Sequence, residues 1–280
     1  MSRAVVLLAA MGFGCGDSRN ATPPLAPSAP VPLTAQQSLS GYVADTAFRA
    51  VTGARVEVLD GPQAGLSMLS DAGGHFTYTG TFAPSVTFRV SKDGYNSATT
   101  MSMSSAPGGR PWAYVRLAPV DAPADIAGDY TLTFTADASC TSLPADARTR
   151  TYAATIAATP DPLVPAGTLF RAVIAGAPVV PGNDGFPVGV AGNFVTLEVW
   201  NGEGPGVVER LAPKTYVGLF GYAGGTVTSS SAPITAAFDG TIEYCVATTD
   251  GTPPYGCTSV QTDRREQCES KNHRITLARR

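Results

Sequence analysis

The second half of the chain alternates apolar and polar residues with the period-two spacing of β-strands that bury one face. In the run 128–135, Tyr130, Leu132 and Phe134 lie on one side and threonines on the other. Comparable runs follow at 150–156, 169–174, 193–200, 207–211, 214–220, 234–246 and 273–277. These strands predict an antiparallel up-and-down β-barrel over residues 125–280, because closure removes the exposed edges of a sheet. A two-sheet β-sandwich is the alternative.

Shorter alternating runs bounded by Gly, Asp or Pro fill the preceding part of the chain, and the pattern shows no helical periodicity. They occur at 41–43, 53–61, 73–78 and 86–95. This spacing predicts an independent small β-sandwich over residues 39–119, joined to the barrel by a linker, 120–124. A length of 280 residues agrees with two modules. The sequence therefore predicts an all-β protein built from a small sandwich followed by a larger barrel.

The first module resembles the carboxypeptidase regulatory-like domain, a small prealbumin-like β-sandwich. The resemblance is carried by the strand Gly53-Ala54-Arg55-Val56-Glu57-Val58, the turn Ser70-Asp71-Ala72-Gly73 and the corner Lys92-Asp93-Gly94-Tyr95. It implies a non-catalytic spacer, stability element or binding platform that accompanies another module.

The amino terminus is predicted to direct export. Arg3 is followed by an apolar segment, 4–14, which is too short to span a bilayer and predicts a secretion signal over 1–15. The segment Gly12-Phe13-Gly14-Cys15 resembles the lipobox of bacterial lipoproteins, although Gly12 stands where that family normally has Leu. The resemblance implies a lipid on Cys15, and the Pro- and Ala-rich residues 16–38 predict a tether. An ordinary signal peptide with an incidental cysteine is the alternative.

The five cysteines fit this location. If Cys15 carries a lipid, four remain, and an exported protein is expected to pair them as two disulfides. Antiparallel pairing of the first and last barrel strands predicts a Cys140–Cys268 bond at the barrel seam, and a Cys245–Cys257 bond closes the loop between those two residues. The chain has no CxxC motif and only two histidines, so no metal site is predicted.

One polar cluster stands out in the predicted barrel. Strand parity places Arg148, Arg150 and His273 on inward faces at the disulfide-capped end. Because arginine offers a fork of donors, these residues are candidates to bind a carboxylate or sulfate. The alternative is that the arginines pair with Asp146 or Glu269 and plug the barrel end.

Composition and missing motifs reduce the number of functions that the sequence is compatible with. The net charge is −3 and the chain has no run of basic residues, which excludes nucleic acid as an expected partner. The sequence lacks Gly-x-Ser-x-Gly, His-Glu-x-x-His and a phosphate-binding glycine loop, so neither an enzyme nor a cofactor is predicted. Only His75 and His273 could serve a cryptic hydrolase.

Three hypotheses remain: a surface-tethered structural or adhesive protein, a barrel on a sandwich stalk that binds a small ligand or a glycan, and a cryptic hydrolase. A lipocalin-like barrel holds a small apolar ligand in its lumen, and Trp200, Tyr216 and Phe220 could line that lumen. An exposed aromatic platform that includes Tyr42, Trp112 and Tyr222 would instead favour glycan binding, and a filled lumen would favour a structural role.

The second module also resembles one found in exported proteins of environmental bacteria, to which no activity is assigned. This resemblance is carried by the segments Cys140-Thr141-Ser142-Leu143-Pro144, Arg148-Thr149-Arg150-Thr151-Tyr152 and Cys268-Glu269-Ser270-Lys271-Asn272-His273. It implies export only. We therefore expect a lipid-anchored protein of the cell envelope, facing the periplasm or the cell exterior, with a non-catalytic role in which the sandwich is the stalk and the barrel the working module.

Overall fold

The computed structural model describes residues 38–82, 85–102, 112–161, 163–164, 167–200, 206–249 and 256–280. The predicted signal segment, its lipobox Cys15 and all but the last residue of the predicted tether lie outside the described residues. Residues Gln36–Arg280 form one compact unit. Within the described part of the chain, none of the helices has the length and apolar character needed to cross a membrane.

The first module is a β-sandwich of two sheets. Its strands are β1 (Leu39–Asp45), β2 (Arg55–Val58), β3 (Ser67–Leu69), β4 (His75–Tyr78), β5 (Thr87–Ser91), β6 (Ala98–Met101) and β7 (Trp112–Leu117). One sheet has the order β4-β1-β7 and the other β3-β2-β5-β6. Strands β1 and β7 are parallel, and the other neighbours are antiparallel. The inward side chains of both sheets, Phe76 and Phe88 among them, form one hydrophobic core.

The second module begins with strand β8 (Gly128–Thr135) and contains the rest of the secondary structure. In chain order these elements are helix α1 (Ala145–Arg148), β9 (Thr149–Pro160), β10 (Thr168–Ala175), β11 (Val179–Ala191), β12 (Phe194–Val199), β13 (Val207–Ala212), β14 (Thr215–Thr226), β15 (Ile234–Ala247), a 3-10 helix (Gly256–Ser259) and β16 (Thr262–Arg279).

These strands close into an eight-stranded barrel. Every pairing is antiparallel, each strand lies beside its neighbour in the chain, and β16 pairs with β8 to close the ring. The closed ring confirms the predicted up-and-down barrel and excludes the two-sheet alternative for this module.

Strands β12 and β13 are two segments of one barrel strand. Both pair with β14, since Val199 lies opposite Gly221 and Val207 lies opposite Leu219. The sequence pattern counted these segments as two strands and missed β11. The predicted number of barrel strands, eight, was therefore correct. The set of segments assigned to those strands was wrong.

The barrel interior is packed with apolar side chains. Buried residues from all its strands belong to one hydrophobic cluster, which includes Phe134, Phe186 and Phe238. Phe134 makes edge-to-face contacts with Tyr152 and Phe238, with ring centroids 6.2 and 5.7 Å apart. Protein side chains therefore pack in the lumen. One of the hypotheses from the sequence had placed a small ligand there.

The sandwich packs against the outside of the barrel through buried polar contacts. The Thr46 hydroxyl donates to the Val190 carbonyl oxygen at 2.6 Å. Arg116 on β7 pairs with Asp161, which follows β9, with an N–O distance of 2.6 Å and side chains only 5% and 1% exposed. We call this contact the sandwich–barrel junction.

A glycine allows the two backbones to approach at this junction. A Cβ added to Gly189 on β11 would lie 2.6 Å from the Thr46 carbonyl oxygen and 2.7 Å from the Phe48 ring. Arg49 also lies over the Phe194 ring of the barrel, 4.5 Å from its centroid. The predicted stalk is therefore docked on the barrel.

Candidate functional site

The predicted polar cluster lies at the end of the barrel beside the Cys140–Cys268 disulfide, but its three members have separate contacts. Arg148 was expected on the same strand face as Arg150. It instead ends helix α1, because the turn that follows Pro144 delays β9 until Thr149. Its guanidinium donates to the carbonyl oxygens of Leu143 and Thr141, at 2.8 and 2.6 Å. Arg148 therefore fastens the loop between β8 and β9.

Arg150 points into the lumen, where its partner is an acid that sequence reasoning missed. Its Nε donates to Glu209 Oε2 at 2.8 Å, and its Nη2 donates to Glu209 Oε1. The Tyr152 hydroxyl donates to the same Glu209 Oε2 at 2.8 Å. Burial and the neighbouring Glu209 charge raise the pKa of Tyr152, so its hydroxyl stays protonated as a donor. We call Arg150, Tyr152 and Glu209 the lumen triad.

The lumen triad links strands that are not hydrogen-bonded neighbours. Glu209 lies on β13, which pairs with β11 and β14, whereas Arg150 and Tyr152 lie on β9. The expected ion pairs of the arginines with Asp146 or Glu269 were wrong. Asp146 offers Arg150 only its backbone carbonyl oxygen, at 3.0 Å, and Glu269 is exposed on β16. An arginine that points inward finds its counter-ion across the barrel.

His273 is buried inside the barrel seam and is held in its neutral form. Its Nδ1 accepts a hydrogen bond from the Asp137 backbone N–H at 2.9 Å, which places the ring proton on Nε2. Burial lowers the pKa of His273, although backbone carbonyls and the Asp137 charge oppose the shift. Contacts of the described residues join His273 to neither arginine. The donors of the two arginines are largely engaged by the protein. His273 Nε2 is buried without a hydrogen-bond partner among the described residues. The ligand-binding role of these three residues stays a prediction.

Both disulfides have the pairing that the sequence predicts. Cys140 is bonded to Cys268 beside the seam of β8 and β16, and Cys245 is bonded to Cys257 in the 3-10 helix. His273 offers a ring nitrogen within 4.8 Å of the Cys140 and Cys268 sulfurs, as in a metal site. Since the sulfurs are joined in a disulfide, they are not free thiolate ligands.

A buried carboxylate supports the second disulfide from outside the barrel wall. Glu243 Oε1 accepts the Cys257 backbone N–H at 2.8 Å. Burial raises the pKa of Glu243, while that hydrogen bond and Arg265 oppose the shift. Cys245 and Cys257 pack with Tyr216 in a small hydrophobic cluster distinct from the barrel core.

The aromatic residues expected to line the lumen do not do so. Tyr216 packs in the outer cluster, and Trp200 is 39% exposed with its ring against Phe220. The lumen is lined instead by Val217 and Leu219, the alternate residues of β14. Described cavities of about 160 and 530 Å³ lie outside the lumen, the smaller at the sandwich–barrel junction and the larger as an open groove on the sandwich.

Three aromatic side chains of the sandwich lie in a row. Tyr42 on β1 lies opposite Tyr114 on β7, with ring centroids 5.9 Å apart and planes 4° from parallel. Trp112 continues the row, 6.0 Å and 9° from Tyr114. On the barrel, Glu198 of β12 lies opposite Tyr222 of β14. We call Tyr42, Tyr114 and Trp112 the aromatic row.

The exposure of these residues differs. Trp112 and Tyr222 are 46% and 52% exposed, whereas Tyr42, Tyr114 and Glu198 are half-buried. Burial raises the pKa of Tyr114 to about 12, and the Glu198 charge acts in the same direction. Sequence reasoning grouped Tyr42, Trp112 and Tyr222. Contacts of the described residues join Tyr42 and Trp112 through Tyr114, which the two-residue spacing from Trp112 could have indicated, and join Tyr222 to neither of them.

No family model matches the chain, and no curated protein matches it.

Proposed function

We propose that the protein is an exported lipoprotein, anchored to a bacterial membrane through Cys15, and that it has a non-catalytic structural or binding role in the cell envelope. The observation that carries this proposal is the disulfide pair. All four cysteines that follow Cys15 are bonded, as Cys140–Cys268 and Cys245–Cys257. Structural disulfides form and persist in oxidising, extracytoplasmic compartments, so they support export.

The contacts at the sandwich–barrel junction support a rigid scaffold. The Arg116–Asp161 ion pair and the Thr46 hydrogen bond are buried between the two modules. A linker of a few residues alone would let the sandwich move relative to the barrel, but buried polar contacts fix their relative orientation. We infer that the anchored protein presents the barrel in a defined orientation.

The contents of the lumen support a structural role for the barrel. The members of the lumen triad bond to one another at one end, and the hydrophobic cluster occupies much of the rest. A ligand that entered the lumen would have to displace packed side chains. We therefore place any binding activity on the outside of the protein.

Membrane attachment tests the proposal directly. We expect the Cys15→Ala variant to move from the membrane fraction to the soluble extracytoplasmic fraction, because the apolar signal segment alone is too short to anchor the chain. Ser18→Ala, in the predicted tether, is the matched control and should stay with the membrane. Cys15→Ala protein that remains membrane-bound would refute lipid anchoring. Migration of the chain unchanged by reduction would argue against export.

A further inference from the structure

The open groove of about 530 Å³ on the sandwich is lined by two cationic side chains. Arg55 begins β2 and lies opposite Ser91, the last residue of β5, so their side chains share the outer face of that sheet. Lys92 follows Ser91 directly and lines the same groove. The side chains of Arg55 and Lys92 are exposed to solvent. We call this cavity the sandwich groove.

Two glycines shape the sandwich groove around Lys92. Gly53 has a φ of 67°, and a Cβ added to it would lie 3.2 Å from Lys92 Nζ, so the missing side chain leaves space for the ammonium group. Gly94 has a φ of 84° and allows the turn in which the Tyr95 N–H donates to the Lys92 carbonyl oxygen at 3.1 Å. Lys92 is therefore held at the groove by a defined turn.

Hydroxyl groups line the sandwich groove beside the cations. In the register of β5 and β6, Val90 lies opposite Ala98, which brings the next residues, Ser91 and Ser97, toward each other. Both serines line the groove. Because a serine hydroxyl can donate to an anionic oxygen, the groove adds neutral donors to its two positive charges.

The charge of the groove differs from that of its surroundings on the same sheet face. Arg89 Nη2 donates to Glu57 Oε2 at 2.7 Å, so these two charges compensate each other. The groove contains two cations, Arg55 and Lys92, and one carboxylate, Asp93, which gives it a net positive charge. An anion is therefore the ligand that complements the groove.

The lining of the groove favours a phosphate group among anions. A guanidinium fork and an ammonium point charge together match the charge and the several oxygens of a phosphate, whereas one cation is enough for a carboxylate. Sulfate has no proton to donate, so Asp93 would only repel it. At about pH 6 many phosphate groups still carry a proton, and their P–OH can donate to the Asp93 carboxylate.

We propose that the sandwich groove binds a phosphate monoester. Arg55 and Lys92 hold the phosphate oxygens, the two serine hydroxyls donate to them, and Asp93 accepts a hydrogen bond from the P–OH group. The volume of the groove leaves space for the glycerol or sugar that carries the phosphate. This goes beyond the proposed envelope role. Because the groove lies wholly in the sandwich, the proposal does not depend on a lipid at Cys15.

Isothermal titration calorimetry of the full-length, detergent-extracted protein tests this assignment. The titrations use glycerol phosphate or sulfate at about pH 6 and constant ionic strength, where part of the phosphate is protonated. We expect glycerol phosphate to bind more tightly than sulfate. Arg55→Gln and Lys92→Gln should each weaken its binding about threefold to fivefold, which is typical for loss of an exposed charge pair, and the double variant should weaken it about tenfold or more.

Matched variants separate the groove from the overall charge of the protein. Arg274→Gln removes an exposed guanidinium from β16 of the barrel and should leave the affinity for glycerol phosphate unchanged. Asp93→Asn should bring the affinities for sulfate and glycerol phosphate closer together, because it removes both the repulsion of sulfate and the carboxylate acceptor for P–OH. Circular dichroism confirms that each variant is folded.

A second phosphate probe distinguishes the source of the ligand. Dihexanoyl phosphatidic acid presents the same monoester phosphate on a lipid. Equal affinity for both probes would identify the phosphate alone as the recognised group, and tighter binding of the lipid would identify a lipid headgroup; both results support the site.

Three outcomes would overturn the proposal. Absence of binding by both phosphate probes would remove phosphate as the ligand class. Equal losses of affinity in Arg55→Gln and Arg274→Gln would assign the binding to overall charge. Sulfate binding as tight as that of glycerol phosphate in the wild type would contradict the role of Asp93.

Discussion

Removal of Glu209 tests whether the lumen triad is a structural plug. In Glu209→Ala, the Arg150 guanidinium loses its counter-ion and the buried Tyr152 hydroxyl loses its acceptor. Breaking a buried ion pair by removing one partner costs about 3–5 kcal/mol. Because the Arg150 side chain is 23% exposed and can regain some water, we expect the lower end of that range. For a chain of this size, about 3 kcal/mol corresponds to a Tm decrease of about 6–12 °C.

Thermal and urea unfolding of the oxidised protein, followed by circular dichroism, measures this effect. Glu269→Ala is the control, because Glu269 is an exposed acid of the same barrel and its removal should change stability by about 0.5 kcal/mol or less. Replacing both partners, as Arg150→Met with Glu209→Met, should recover the part of the loss that comes from the unpaired Arg150 charge. The Tyr152 hydroxyl still lacks its acceptor in that variant, so recovery should be incomplete. Equal effects of Glu209→Ala and Glu269→Ala would refute the plug.

Three further changes probe the junction and the seam. Asp161→Ala should lower the free energy of unfolding by about 3 kcal/mol or more in urea titrations, because Arg116 stays buried without its partner; an unchanged midpoint would contradict this. Gly189→Val should cost about 1–3 kcal/mol and speed amide exchange at the junction, because its side chain meets the Thr46 carbonyl, and wild-type exchange rates would speak against it. Burial lowers the pKa of His273 below its ordinary value of 6.5, so the unfolded state binds a proton more readily than the folded state. The free energy of unfolding should therefore fall as the pH drops from about 7.5 to 5.5, by at most about 1.4 kcal/mol per pH unit. The same pH dependence in His273→Gln would assign the effect to other groups.

The barrel was predictable from sequence because alternation and hairpin spacing record which face each strand buries. In β8, Tyr130, Leu132 and Phe134 are buried as the pattern requires. Antiparallel pairing of β8 with β16 then brings Cys140 and Cys268 together, which strand order alone implied.

Strand β11 escaped prediction because it contains the residues that usually mark turns. Val179–Ala191 includes Pro181, Gly182, Gly185 and Pro187, and its register with β13 shifts between Val179 and Asp184. Glycine and proline are tolerated there because the strand is irregular, so local sequence resembles a loop.

The candidate site was only partly visible in the sequence because its partners meet through the tertiary fold. The alternation pattern showed that Arg150 points into the barrel. That its partner is Glu209 depends on barrel closure, which brings β9 and β13 close enough for the two side chains to bond. The aromatic row depends on the pairing of β1 with β7, which lie far apart in the chain, so alternation within either strand cannot place Tyr42 beside Tyr114.

The intact mass of the protein purified from bacterial membranes, measured without reduction, tests the exported lipoprotein account most directly. The account predicts a mature chain that begins at Cys15, carries the mass of a diacylglyceryl group on that residue, and takes up no alkylating reagent at Cys140, Cys245, Cys257 or Cys268. An unmodified Cys15 within an unprocessed chain, or alkylation of the other cysteines before reduction, would contradict it.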